Sequence, residues 1–268
     1  MQQALAKIND VRDAGRLSGL AMALSNNGVV DFLKGKCVTV DLQGTVVESF
    51  EPADYASRLI EHVMPGSYMK TVHLRGSPEK SYCVGPLARS LVNSSFSTPK
   101  ATGLLAALKA KYGKEPSAID NIEVRLVEMV HCAERIGEIA STPFKSNELS
   151  VAVNPGAGRY IGMVEAPRGV LIHDYTADGT GHITAANMIV ATQNNYDAMN
   201  DTITKLARHF KTKNDEAMLL NGVEFALRCF DPCLACATHA MGKMPLSIGL
   251  HRQGHPVRTI TREVRHDN

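Results

Sequence analysis

Between residues 122 and 140 the chain carries Ile122, Leu126, Met129, Ala133, Ile136 and Ala140, at steps of four, three, four, three and four. A strand would scatter those residues over both of its faces, whereas an α-helix stacks them into one stripe. The spacing predicts a helix over 119–140, wide enough on its apolar side to enter a core, with His131 and Cys132 as packing residues. Around it, helical and short-strand patterns alternate. Residues 2–24, 52–64, 99–112, 184–210 and 214–230 read as helices, the fourth interrupted near 192–195. Pro99 suits a helix start and Pro232 a helix stop. Residues 37–42 and 45–48 flank Gln43-Gly44 as a hairpin, and residues 160–175 read as two strands around Ala166-Pro-Arg-Gly169. A last hairpin is expected from Leu246, Ile248 and Leu250, a turn at Gln253-Gly254, and residues 257–264. The expected fold class is mainly α, an α+β chain with small antiparallel β-hairpins.

Composition removes several classes. With 268 residues, 44% hydrophobic and 21% charged, the chain is neither disordered nor collagen-like. It has no apolar run of the ~18 residues a membrane-spanning helix needs. Its first residues lack the basic-then-apolar plan of a secretion signal, so no membrane span and a cytoplasmic location are expected. A net charge of +2 gives no case for nucleic acid. The absence of Trp and 5% aromatic content argue against a carbohydrate or single-strand stacking platform.

Of the six cysteines, Cys229, Cys233 and Cys236 fall within eight residues. Clustering of that kind points to metal or redox chemistry rather than a disulfide framework. Cys37, Cys83, Cys132 and Cys229 read as small buried apolar residues. The chemistry sits in Phe230-Asp-Pro-Cys-Leu-Ala-Cys-Ala-Thr-His239. Pro232 suits the first position of a new helix and Asp231 its N-cap. Cys233 and Cys236 would then share a face in the first turn, where free N–H groups favour thiolate. His239, three residues on, lies roughly on the same side. Spacing alone leaves a metal site, a redox dithiol and a purely structural pair open. Zinc needs further ligands that no second Cys-x-x-Cys supplies, and an iron–sulfur cluster usually takes four cysteines.

Asp231-Pro-Cys-Leu-Ala-Cys-Ala-Thr-His239 resembles the C-terminal metal-binding signature of the large subunit of [NiFe] hydrogenases. Tyr82-Cys-Val-Gly-Pro-Leu-Ala-Arg89, Arg125-Leu-Val-Glu-Met-Val-His-Cys-Ala-Glu134, Glu165-Ala-Pro-Arg-Gly169 with Leu171-Ile-His173, and Ile189-Val-Ala-Thr-Gln-Asn-Asn195 resemble further blocks of that family, in the same order. The continuation Ala240-Met-Gly-Lys-Met-Pro-Leu246 is most similar to the cytoplasmic bidirectional NAD(P)-linked branch. The F420-linked or heterodisulfide-reductase-linked group is the alternative branch.

The resemblance implies the C-terminal part of the helical large-subunit fold and reversible oxidation of H2 to protons and electrons. It implies Cys233 as a terminal nickel ligand and Cys236 as a bridge from nickel to an iron that also holds CO and cyanide. Arg168 would act in H2 splitting as a base or as electrostatic partner to one, although an arginine is almost never deprotonated in water. Asp231 would hold Arg168 by a charge-assisted hydrogen bond. Pro167 and Thr192 would shape the cyanide pocket. His239 would ligate a Mg-like ion and mark the cleavage point of a precursor. The implied partners are a small Fe-S subunit, diaphorase subunits carrying FMN and NAD(P), a maturation chaperone and a C-terminal endopeptidase. Residues 1–239 would form a partial catalytic domain. Residues 240–268, with five Lys/Arg against two Asp/Glu, would be an extension that is either a removable maturation peptide or an ordinary terminal hairpin.

One departure from the family pattern matters. The only Cys-x-x-Cys is 233–236, and the N-terminal block with the family's first pair is absent, so this chain holds half of the four thiolates. Expected consequences are apolar surface left uncovered and no hydrogenase activity from the chain alone. A catalytically inactive hydrogenase-like scaffold or a Zn-binding module is the competing reading.

Overall fold

The computed structural model describes residues 10–65, 67, 69–112, 115–143, 150, 152, 154–211, 216–233, 246–252 and 254–262. The elements run β1 (Leu20–Ser25), β2 (Lys36–Asp41), β3 (Val46–Phe50), α1 (Tyr55–Arg58), β4 (Leu59–His62), β5 (Thr71–Leu74), β6 (Tyr82–Cys83), α2 (Pro86–Val92), α3 (Pro99–Tyr112), α4 (Asp120–Ala140), β7 (Gly158–Ala166), β8 (Gly169–Ala177), β9 (Ile183–Ile189), α5 (Ala191–Asn194), α6 (Tyr196–Lys211), α7 (Glu216–Phe230), β10 (Leu246–Arg252) and β11 (His255–Arg262). The fold is α+β, with 41% helix and 30% strand among the described residues, in small, largely antiparallel sheets.

β1 organises the interior. It pairs antiparallel with β2 and parallel with β6, in a sheet of order β3-β2-β1-β6. Its side chains alternate between two cores, as a central strand requires. Leu20, Met22 and Leu24 join Tyr55, Leu74, Tyr82, Val170 and Ile172 on one side. Ala21 lies on the other, with Leu87, Val124, Met199 and Phe230 of the helices. The small Ala21 lets those helices approach the sheet closely.

Three expected helices are corrected. Residues 2–24 do not form one helix, because Leu20–Ser25 is a strand buried on both faces; an apolar run of that length fits a helix or a buried strand equally well. Residues 52–64 give only a short 3-10 turn and α1, after which Leu59–His62 pairs with Thr71–Leu74. Residues 184–210 open with β9, which adds to the edge of β8 before α5 begins. In each case pairing with another strand outweighs local propensity, β4 and β9 with their neighbours in sequence and β1 also with β6 about 60 residues on. The helices at 99–112, 119–140 and 214–230 and all three hairpins are present.

The stripe on α4 is a further correction. The helix buries Asn121, Val124, Val127, Glu128 and His131, while Leu126, Met129 and Ile136 of the stripe are exposed at 58%, 63% and 67%. Cys132 is exposed rather than a packing residue; Cys37, Cys83 and Cys229 are buried. Burial pushes the Cys83 and Cys229 thiols up to about 12, which keeps both protonated and unreactive. The terminal hairpin is tied to the body by Ile260, which buries among Leu206, Phe210, Leu219 and Leu220 of α6 and α7. Among the described residues no helix is long and apolar enough to cross a membrane.

Candidate metal centre

Four segments that are far apart in sequence meet beside Cys233. The first is the β7–β8 turn, Pro167-Arg168, closed by the pairing of Ala166 with Gly169. The second is the stretch 82–85 leading into α2. Gly85 has φ +106, and a Cβ there would lie 2.8 Å from the Arg168 carbonyl oxygen; Gly169 has φ +131, and a Cβ there would lie 2.3 Å from Val84 Cγ2. Two backbones touch at this point, and only glycine on each side permits it. The third is α5 and Asn195. Asn194 Nδ2 donates to the Val170 carbonyl (3.0 Å) and its Oδ1 accepts from the Tyr82 hydroxyl (2.6 Å). Asn195 Oδ1 accepts from the Val84 N–H (2.8 Å). These amides stitch the turn to the second segment.

The fourth segment is the exit from α7. Asp231 has φ +51 and its N–H reaches back to the Leu227 carbonyl at 3.1 Å. That is the left-handed residue that ends a helix, not the extended conformation of an N-cap. The expected N-cap role of Asp231 is therefore corrected. The reversal brings Asp231 to Arg168. Arg168 Nε donates to the Asp231 carbonyl oxygen and lies 3.2 Å from its Oδ2. Two residues on, the Cys233 N–H donates to the hydroxyl of Thr192 at 3.1 Å. Thr192 is itself buried, at 4% exposure.

The structure thus brings together Arg168, Asp231, Thr192 and Cys233, with Pro167 and Asp231 on the wall of an open cavity of about 550 Å3. Cys236 and His239, with the start of the 240–268 extension, lie outside the described residues. Among the described residues no group of three or more His, Cys, Asp or Glu is placed to hold a metal ion. Cys233 and Cys236 are soft ligands of the kind that suit nickel and iron, but they are two where a four-thiolate centre needs four.

Sequence reasoning misses Arg89. It is fully buried and is salt-bridged to Glu128 of α4 and Glu165 of β7, with both contacts at 2.6 Å. Burial works against its charge, and the two carboxylates more than compensate, raising its pKa. Glu165 also accepts the Leu24 N–H (2.7 Å). Burial raises its pKa, an effect that Arg89 opposes. A signal exists: Arg89 ends the apolar run Pro-Leu-Ala-Arg in α2, where a buried cation must find carboxylates.

This fold is that of a hydrogenase large subunit. The beta subunit of the NAD-reducing hydrogenase HoxS of Cupriavidus necator is 34% identical over 258 residues, covering 93% of this chain and 52% of that protein. A subunit of the F420-non-reducing hydrogenase of Methanothermobacter marburgensis is 34% identical over 240 residues, covering 87% of this chain and 51% of that protein. The crystal structure of an NAD+-reducing [NiFe]-hydrogenase in the H2-reduced state aligns with a TM-score of 0.74 at 30% identity, covering 89% of this chain and 56% of that one. The Ni-Fe-Se hydrogenase of D. vulgaris Hildenborough shares the fold, with a TM-score of 0.61 at 20% identity. No family model matches the chain. The chain belongs to the [NiFe] hydrogenase large-subunit family, and it spans about half the length of the curated relatives it matches.

Proposed function

We propose that this chain supplies one half of a [NiFe] hydrogenase active site and works in reversible oxidation of H2 to two protons and two electrons. The observation that carries the reading is the convergence of the Arg168–Asp231 pair and the Thr192 hydroxyl on the backbone at Cys233. Reduced Cys233 and Cys236 would hold the nickel–iron centre, which when bound, with CO and cyanide on its iron, supplies the redox chemistry. Thr192 fixes where Cys233 enters the site. Arg168 provides a positive charge beside the Asp231–Cys233 segment, and Asp231 orients it from two atoms. Pro167 walls the cavity beside them. His239 would take a Mg-like ion, and residues 240–268 would be removed after metal loading.

Electrons would leave through the Fe-S clusters of a small subunit. NAD(P) at a diaphorase is one acceptor class, supported by the Cupriavidus relative; the F420-non-reducing relatives are equally similar and do not single it out.

Metal content and intact mass test the reading, after co-expression with the partner chains and maturation proteins. One nickel and one iron per chain, with the mass ending at His239, is the expected result. Zinc without iron would mark the chain as a Zn-binding module. A full-length, metal-free chain would mark it as an inactive scaffold.

A further inference from the structure

The guanidinium of Arg89 has five N–H donors, and all five are engaged. Nε and Nη2 donate to Glu128 Oε1 and Oε2, at 2.6 and 2.8 Å. Nη1 donates to Glu165 Oε2 at 2.6 Å and to the Ala166 carbonyl at 3.1 Å. The remaining N–H of Nη2 goes to the Pro167 carbonyl at 3.0 Å. Neutralising two buried glutamates accounts for three of these bonds. The other two reach the backbone of the two residues immediately before Arg168.

We propose that Arg89 is a positioning residue: it acts through the Ala166 and Pro167 carbonyls to fix the turn that presents Arg168 to Asp231. The chain of contacts is continuous. Glu128 anchors the guanidinium to α4 and Glu165 anchors it to β7. The planar fork then holds both carbonyls of the turn, and Arg168 leaves the turn toward Asp231. Lysine cannot replace it, because an ammonium has three donors on a flexible stem where five fixed ones are used.

This inference rests on the reading that Arg168 works at the metal centre, but its test needs no metal. Arginine labelled with 15N at Nε gives each guanidinium its own N–H signal, and Arg168→Lys assigns the signal of Arg168. In the full chain, Arg89→Lys is expected to speed exchange of the Arg168 Nε–H with water at least tenfold. Leu219→Ala, a core cavity between α6 and α7 that also lowers the melting temperature, should leave that exchange within twofold. Where Arg89→Lys does not fold, Arg89→Met combined with Glu128→Gln and Glu165→Gln removes the unpaired charges and should show the same loss. An unchanged Arg168 signal in a folded Arg89 variant overturns the proposal. So does failure of both variants to fold, since Arg89 would then serve stability alone. Absence of H2 turnover in the loaded, assembled enzyme with native Arg89 would instead count against the functional reading.

Discussion

α6 and α4 are both amphipathic, but α4 buries polar groups beside its valines where α6 buries almost only apolar ones. α6 turns Ala198, Met199, Leu206 and Phe210 inward, with Thr202 as the one hydroxyl among them. α4 turns Asn121, Glu128 and His131 inward beside Val124 and Val127, and leaves Leu126, Met129, Ile136 and Ile139 in solvent. Each inward polar group makes a contact, although Asn121 Nδ2 is buried without a hydrogen-bond partner. Asn121 Oδ1 accepts the Leu87 N–H (3.0 Å), Glu128 holds Arg89, and His131 Nδ1 lies 2.9 Å from the Thr98 hydroxyl with its ring against Phe96. Amphipathicity shows that a helix has a face to bury; it does not say which neighbour buries it. Met129 and Ile136 of that exposed face line the same cavity as Pro167 and Asp231.

The contrast can be broken most directly at Arg89. Arg89→Met leaves Glu128 and Glu165 without their partner and should cost about 3–5 kcal/mol, read as a drop in the urea midpoint. A smaller loss would mean the polar side of α4 is not the side that holds the helix. Next comes a matched pair of truncations. Leu206→Ala on α6 should cost about 2–5 kcal/mol. Ile136→Ala on α4 should stay within about 0.5 kcal/mol in this chain alone. Equal costs would erase the distinction between the two helices. Gly169→Ala sharpens the view of the turn beside α4. It forces a side chain into the left-handed region and against Val84, and should cost about 1–3 kcal/mol by the same measurement. The smallest effect is a slope. Burial raises Glu165 above its ordinary value of 4.5, so its contribution to stability is present below about 4.5 and declines as pH rises through its folded pKa. Unfolding midpoints across the acid-to-neutral range should fall with pH more steeply for the wild type than for Glu165→Gln. Parallel curves would show that Glu165 titrates normally.

The regions legible in the sequence share one property: their structure is decided within a few residues. Ala166-Pro-Arg-Gly169 makes a hairpin because its glycine supplies the required conformation, and Pro99 and Pro232 bound helices where proline allows or forbids them. The strands at Leu20–Ser25, Leu59–His62 and Ile183–Ile189 read as helix in the sequence because what fixes each is a partner strand elsewhere. The site divides in the same way. Family resemblance names Arg168 and Asp231 together, and the pairing is present. Arg89 escapes such a reading, because its role depends on Glu128 and Glu165, 39 and 76 residues away.

By itself the sequence pointed to the hydrogenase large-subunit family, the hairpins and the long helix at 119–140. Tertiary structure alone decided that β1 is a central strand, that α4 turns Asn121, Glu128 and His131 inward beside Val124 and Val127, and that a buried arginine grips the turn carrying Arg168. The physical reason is range: turns, caps and helical spacing are local, whereas strand pairing and the neutralisation of a buried charge depend on groups that only folding brings together.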